Sequence, residues 1–247
     1  MKPIEVKNPF IRTTNVRNLD VMMRGLALAA GEGRFGLVYS ESGRGKSRAI
    51  VNWHGTHDSI YVRTKNVWKT NPTEFLGELC FELGIRPKPK GKVKCFNLAV
   101  DALLQQPRTV LIDEIERLPM DFLEIMRDLT EFTGSAVVLI GEEELVEHMR
   151  QNRRVWRRTF QRLEFKVVGP AEIKFYIQEA TKDKNDIGLN ISNEIASVID
   201  ELSGGNFGDI RVITIYLADI CNAKKAVHIT RDMVMAANRT RLSEKEI

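Results

Sequence analysis

Apolar residues along this chain follow two rhythms. From about Val16 to Ala30, the positions Leu19, Met22, Met23, Leu26, Ala27 and Ala30 recur at helical spacing, which predicts a helix with one buried face and Gly31 as its stop. Five short apolar runs come after it: Phe35–Tyr39 (FGLVY), Ser59–Arg63 (SIYVR), the stretch TVLIDE that ends at Glu114, Ser135–Gly141 (SAVVLIG) and Leu163–Val168 (LEFKVV). Runs of this length predict parallel strands covered on both faces when helical stretches separate them. Those helices are expected from about Lys46, from the start signal Asn71-Pro72-Thr73-Glu74 to near Gly84, from Phe96 to Gln106, and from Met120 to Phe132 with Gly134 as stop. After Pro170 no comparable strand recurs, and helices are expected over 171–182, 192–202, 208–222 and 231–239, the last capped by Thr230. The pattern predicts an α/β core over 1–170 and a small helical domain over 171–247.

The 247 residues, 43% hydrophobic and 28% charged, suit a globular chain with a sizeable core. No apolar run reaches the roughly 20 residues that cross a bilayer. The polar start MKPIEVKNPF lacks the apolar centre of a signal peptide, so a cytoplasmic location is expected. Cys80, Cys95 and Cys221 form no CxxC pair and are read as reduced core thiols. The formal net charge of +4 matters through its clustering. Residues 86–94 (RPKPKGKVK) hold five cations and no acid, and residues 150–166 hold seven cations against Glu164 alone.

The stretch SESGRGKS, residues 40–47, follows the first strand and opens a helix. A phosphate-binding loop needs backbone N–H groups curled around phosphate oxygens, a helix N-terminus aimed at them, a lysine for the terminal phosphates and a hydroxyl for Mg²⁺. Gly43 and Gly45 allow the close backbone approach, Lys46 is the cation and Ser47 the hydroxyl, with Ser42 and Arg44 completing the candidate nucleotide contacts. Only the first glycine of GxxxxGK[ST] is missing; Ser40 replaces it, which is tolerated unless the backbone there demands a positive φ. The strand VLIDE delivers Asp113 and Glu114 at its C-terminal end, where ligands gather in open α/β sheets. Asp113 is expected to hold Mg²⁺ and Glu114 to polarise a water for attack on the γ-phosphate of ATP. SIYVR and at least two helices intervene between loop and acids, so SAVVLIG is expected to lie between those two strands in the sheet.

With Glu beside Asp, this arrangement resembles the AAA+ ATPases. The segments SESGRGKS, LIDEIERLP, SAVVLIGEEEL and VWRRTFQRLEF make the core from about Phe35 to Pro170 similar to the MuB/TnsC family of transposition regulators, and the helical tail resembles the AAA+ lid. The resemblance implies a P-loop AAA+ core with a five-stranded parallel sheet. It also implies ATP hydrolysis, self-association into a helical filament or ring on duplex DNA, and a transposase partner. Arg158 falls where the family places an arginine finger, with Arg157 and Arg162 as rivals. Glu142 stands where the family usually carries an uncharged polar sensor. Arg211 is the candidate lid arginine for the γ-phosphate, although the family position aligns better with Asp209.

Family members contact DNA through loops lining the filament interior. The matching stretches here are RTKNVWK (63–69) and RPKPKGKVK (86–94), so Arg63, Lys65, Lys69, Lys88, Lys90, Lys92 and Lys94 are the candidate contacts. Lysines on such loops follow a phosphate backbone without reading bases, while Trp68 is expected to be a packing anchor. Two alternatives stay open: a helicase loader of the IstB/DnaC type, and a nucleotide-gated DNA-binding scaffold with little hydrolysis.

Overall fold

A computed structural model describes residues 3–29, 34–71, 73–185, 187–226 and 228–245. The chain forms two compact units, one of Val16–Phe165 and one of Met1–Asn15 with Lys166–Ile247.

The first unit is built on five parallel strands: β1 (Phe35–Tyr39), β2 (Ser59–Arg63), β3 (Thr109–Asp113), β4 (Val137–Gly141) and β5 (Thr159–Glu164), in the order β2-β3-β4-β1-β5. As anticipated, β4 lies between the strand before the glycine loop and the strand that ends in acids. Alternate residues of the same strands enter two different cores, because successive side chains point to opposite faces. Leu37, Ile60, Val62, Val110, Ile112, Val137 and Leu139 pack on one face with Phe75, Leu79, Leu103, Phe122 and Met126. Val38, Leu111, Val138 and Ile140 pack on the other with Leu19, Met23, Leu26 and Ile50. Burial on both faces is the reason these strands read as continuous apolar runs.

The helices of this unit are α1 (Thr14–Leu28), α2 (Lys46–His54), α3 (Thr73–Glu82), α4 (Lys92–Gln105), α5 (Asp121–Thr133), α6 (Glu143–Gln151) and α7 (Arg153–Arg158). Gly134 ends α5 in the left-handed region at φ 65, as its position predicted. Ala30, Gly31 and Pro72 lie outside the described residues.

Three local readings need correction. The fifth strand is Thr159–Glu164, not Leu163–Val168. It lies at the sheet edge, paired with β1 alone, and its buried and exposed positions alternate, so the mixed sequence TFQRLE suits it better than an apolar run. Helix α4 begins at Lys92, which moves Lys92 and Lys94 from the expected loop onto a first helical turn. Gly91 precedes the turn at φ 92, and the fully buried Cys95 seats it against the core, its N–H donating to the Gly91 carbonyl. Helix α6 was not anticipated, yet it carries Leu145, Val146 and Met149 on one buried face, acids in its first turn and His148 and Arg150 in its last, as the helix dipole favours.

The second unit contains α8 (Pro170–Ala180), α9 (Asn193–Ser203), α10 (Phe207–Lys224) and α11 (Arg231–Lys245). Ser192 caps α9 by accepting from the Ile195 N–H, and Asn206 caps α10 by accepting from Gly208 and Asp209. The expected division at 170 grouped the N-terminal residues with the core, whereas here they group with the helices. The Lys7 N–H donates to the Ala180 carbonyl, the Ile4 backbone exchanges hydrogen bonds with the Asn222 side chain, and Ile11 is buried among Ile173, Tyr176 and Ile177. Cys80, Cys95 and Cys221 are buried free thiols; burial pushes Cys80 up to about 12. Among the described residues no helix is long and apolar enough to cross a membrane.

Phe75 is fully buried and meets Trp68 and Phe122 edge-on, at ring-centroid distances of 6.0 and 6.1 Å. Phe75→Ala is expected to cost about 3–5 kcal/mol, read as a fall in the chemical-denaturation midpoint of the first unit.

Candidate nucleotide site

Strand register decides what meets at the C-terminal edge of the sheet. Tyr39 pairs with Gly141, Asp113 with Ile140, and Arg63 with Asp113, so β1 to β4 all end at one level. The glycine loop leaves β1 there. Gly43 and Gly45 adopt φ 79 and 87, a region that disfavours side chains, so the two glycines of the motif are required by the backbone itself. Ser40 does not need that freedom: among the described residues the non-glycines with positive φ are Glu114 and Lys225. Helix α2 starts at Lys46 with no side-chain cap and no acid in its first turn, leaving its N–H groups for an anion.

A cleft of about 270 Å³ opens at this edge, lined by Ser42 to Arg48, Asp113, Glu114, Glu116, Arg117, Gly141 and Glu142. The sequence-predicted residues Ser42, Gly43, Arg44, Gly45, Lys46, Ser47, Asp113 and Glu114 therefore meet in one place. Lys46 is 9% exposed, and its ammonium donates to the Ser40 carbonyl (2.7 Å), the Ser40 hydroxyl (3.0 Å) and the Glu41 carbonyl (2.9 Å). Ser40 thus supplies two of the lysine's three acceptors, and one of them is the hydroxyl that a glycine would lack. Burial lowers the Lys46 pKa from its usual value, against the opposing pull of Glu142, Glu116, Asp113 and Glu143.

Asp113 is 1% exposed; it accepts from the Tyr61 hydroxyl at 2.9 Å and from the Glu114 N–H at 3.1 Å. Burial first, then the Asp113 charge, raises the Tyr61 pKa, so Tyr61 stays a donor that orients the carboxylate. Glu114 sits in the left-handed region at φ 59, a conformation that costs about 1–3 kcal/mol and persists where surrounding contacts over-determine it. Two arginines do so: Arg63 reaches Glu114 Oε1 at 2.6 Å and Arg117 reaches Oε2 at 2.5 Å.

Sequence reasoning missed Glu116, Arg117, Gly141 and Arg48 as lining residues. Glu116 follows Asp113 by three residues, a spacing visible in LIDEIERLP, but the tight turn that returns it to the cleft was not. Its Oε2 is buried without a hydrogen-bond partner, and burial followed by the neighbouring carboxylates raises its pKa. A Cβ added at Gly141 would run into that oxygen and into Leu145, so any side chain there would have to displace both. Glu142, at the sensor position, lines the cleft.

The arginine segment is not part of the cleft of its own chain. Arg158 pairs with Glu131 at 3.3 Å, and Arg162 stacks on Trp156 at 3.6 Å while donating to the Trp156 carbonyl. Arg211 is an exposed residue of α10, and Asp209 beside it pairs with the buried Arg241 at 2.6 Å. The basic stretches lie on both sides of α3 in sequence. Arg63 ends β2, Lys65 and Lys88 both pair with Glu78, Lys92 pairs with Asp121, and Lys69, Lys90 and Lys94 are exposed. Trp68 is 5% exposed and packs inward, as expected.

The family model for an AAA domain matches residues 29–149. The Mu-like prophage FluMu DNA transposition protein B of Haemophilus influenzae is 24% identical over 184 residues, 72% of this chain and 61% of that protein. The ATP-dependent target DNA activator B of Escherichia phage Mu is 28% identical over 156 residues, 62% of this chain and 49% of that protein. The chain is therefore similar to the MuB transposition proteins and matches an AAA domain over residues 29–149. Solved structures agree on the fold. The Aeropyrum pernix ORC2 protein, solved as ADPNP-ADP complexes, superposes with a TM-score of 0.66 at 13% identity, over 97% of this chain and 70% of that one. The Aeropyrum pernix ORC1 protein in complex with DNA gives 0.62 at 15% identity, over 95% and 66%. This MuB-like chain spans between about half and three-fifths of the length of the curated relatives it matches.

The cleft fits a magnesium nucleotide. Uncapped N–H groups and Lys46 suit phosphate oxygens, and Ser47 with the buried Asp113 is a donor set of the kind Mg²⁺ uses when phosphates and water complete its shell. Among the described residues no group of three or more His, Cys, Asp or Glu could hold a metal by itself. Lys46→Ala is expected to weaken ATP binding roughly 10- to 100-fold through loss of charge-assisted hydrogen bonds, measurable by displacement of a fluorescent nucleotide.

Proposed function

We propose that this chain hydrolyses ATP, binds duplex DNA without sequence preference, assembles on it as a helical filament, and directs a transposase to the DNA it covers. The observation that carries this reading is the single cleft that holds Lys46, Ser47, Asp113 and Glu114. The relatives, a DNA transposition protein and an ATP-dependent target DNA activator, supply the biological setting.

In this reading the amides of Ser42 to Ser47 hold the phosphates, Lys46 leaves the Ser40 and Glu41 carbonyls for the terminal phosphates, and Ser47 and Asp113 hold Mg²⁺. The ion, when bound, offsets charge that builds on the phosphate oxygens. Glu114 accepts a proton from the water that attacks the γ-phosphate, giving ADP and phosphate. For that its carboxylate must be freed from at least one arginine. Arg63 is the first residue of a candidate DNA-binding stretch, so a backbone phosphate that takes its guanidinium leaves Glu114 Oε1 available; this is a direct route from DNA binding to turnover. Arg158, or its neighbours Arg157 and Arg162, is assigned to the ATP site of an adjacent subunit, which makes hydrolysis depend on assembly, and Arg211 to the γ-phosphate. Duplex contacts are assigned to Arg63, Lys65, Lys69, Lys88, Lys90, Lys92 and Lys94.

Two observations bear on the alternatives. The burial of Trp68 removes the main aromatic near the basic stretches from base stacking, which disfavours a single-strand helicase loader. Glu142 in the cleft, where an uncharged sensor is usual, favours the slow-hydrolysis scaffold, and a single-turnover measurement of ATP cleavage separates it from the leading reading.

Turnover per subunit is expected to rise with protein concentration and again with added duplex; a dilute monomer that hydrolyses ATP equally fast would overturn the assembly-dependent arginine. Glu114→Gln is expected to keep ATP and duplex bound while turnover drops by about two orders of magnitude or more. Arg63→Ala is expected to raise turnover in the absence of DNA and to shrink the stimulation DNA causes, both read in a steady-state phosphate-release assay.

A further inference from the structure

Lys65 and Lys88 come from basic stretches on opposite sides of α3 in the sequence, and the fold brings both to one carboxylate. Glu78 Oε1 accepts from the Lys65 ammonium at 3.1 Å, and Glu78 Oε2 from the Lys88 ammonium at 2.7 Å. Glu74, one helical turn earlier, stands 3.8 Å from Lys88. The Lys88 hydrogen bond, followed by the one from Lys65, holds the Glu78 carboxyl below its usual range against the cost of partial burial.

The surroundings show that this meeting is built. Trp68 packs edge-on against Phe75 of α3, which anchors the short 3-10 turn after Lys65, and the Lys65 ammonium lies 4.9 Å above the Trp68 ring. On the other side the Lys88 segment lies directly on the helix at Gly77, where an added Cβ would stand 3.0 Å from both Lys88 Cε and the Pro89 carbonyl oxygen. A glycine in mid-helix costs about 1 kcal/mol relative to alanine, and here it gives the loop its close approach. The two basic stretches therefore meet at one carboxylate. Lys69, Lys90 and Lys94 are exposed on the same two stretches with no ion pair described for them.

A carboxylate that offers one oxygen to each of two lysines presents the charge and the acceptor pair of a backbone phosphate. We propose that Glu78 is an internal competitor for that phosphate: it occupies Lys65 and Lys88 until duplex DNA exchanges places with it, and so lowers the affinity and keeps binding reversible. The proposal rests on the duplex-binding reading above and adds to it a residue that opposes binding. Glu78 lines no part of the nucleotide cleft.

The test is fluorescence anisotropy of a labelled mixed-sequence duplex with the full chain and a non-hydrolysable ATP analogue, titrated with NaCl. Glu78→Gln keeps the size and polarity of the side chain and removes the charge. It is expected to bind roughly 3- to 30-fold tighter at low salt, the range two partly exposed ion pairs command. The slope of log K against log salt is expected to stay close to that of the wild type, because both lysines reach phosphate in either complex, so the gain reads as a displacement of the whole line. Lys65→Gln combined with Lys88→Gln should cancel the gain. Glu78→Asp, shorter by one methylene, cannot reach both lysines and should shift affinity the same way by less; it serves if Glu78→Gln has a lowered unfolding midpoint. If the wild type binds duplex and both variants bind it equally or more weakly across the salt range, Glu78 only braces the loops and the competitor role is wrong, while the DNA reading stands. If neither wild type nor variants bind duplex at the lowest salt, the DNA reading itself fails and this proposal falls with it.

Discussion

Everything at the cleft depends on four parallel strands ending level with one another. Because β4 is hydrogen-bonded between β1 and β3, the loop that leaves β1 and the acids that end β3 lie a strand apart, with Glu142 between them in the sheet order. A shift of one residue in any of these pairings would turn every side chain of that strand to the opposite face and bury the wrong set. The two apolar cores forbid that shift. The same packing that stabilises the sheet therefore positions Lys46 against Asp113, and no separate device is needed.

Most of the charges at this edge are answered from within the chain, although among the described residues Glu116 Oε2 has no hydrogen-bond partner. Lys46 bonds to loop carbonyls, Asp113 to Tyr61, Glu114 to two arginines, and Lys65 and Lys88 to Glu78. The cost of desolvating a charge explains the pattern, since a half-buried ion without a partner loses more free energy than a modest ion pair returns. The functional consequence is that ligands must compete. In the proposed function, phosphates have to draw Lys46 from neutral carbonyls, which is easy for a dianion, whereas DNA must displace full carboxylates, which is harder and sensitive to salt. On that proposal ATP and DNA meet different thresholds, and Arg63, at the end of β2 and the start of the basic stretch, is assigned to both.

Much of the architecture was legible in the residues. Runs such as SIYVR and SAVVLIG are too short and too apolar for anything but buried strands, and Gly43, Gly45 and Lys46 carry their chemistry in a local arrangement that short-range sterics enforce. The misreadings have local causes as well. LEFKVV resembles a buried strand, but its position at the sheet edge favours the half-polar TFQRLE, and edge or centre is settled by strand order. Lys92 and Lys94 read as loop because Pro and Gly precede them; the burial of Cys95 begins the helix earlier.

From sequence alone follow the α/β class, the glycine loop between strand and helix, the acidic strand and the clustering of cations, because each rests on residue type and spacing within a few turns of backbone. Only the tertiary structure decides the partners: Arg63 and Arg117 on Glu114, Glu116 turned back into the cleft, and Glu78 between two lysines that stand 23 positions apart in the chain. Ion pairs carry no periodicity and no spacing rule across loops, so nothing short of the folded packing can say which carboxylate a given lysine will meet.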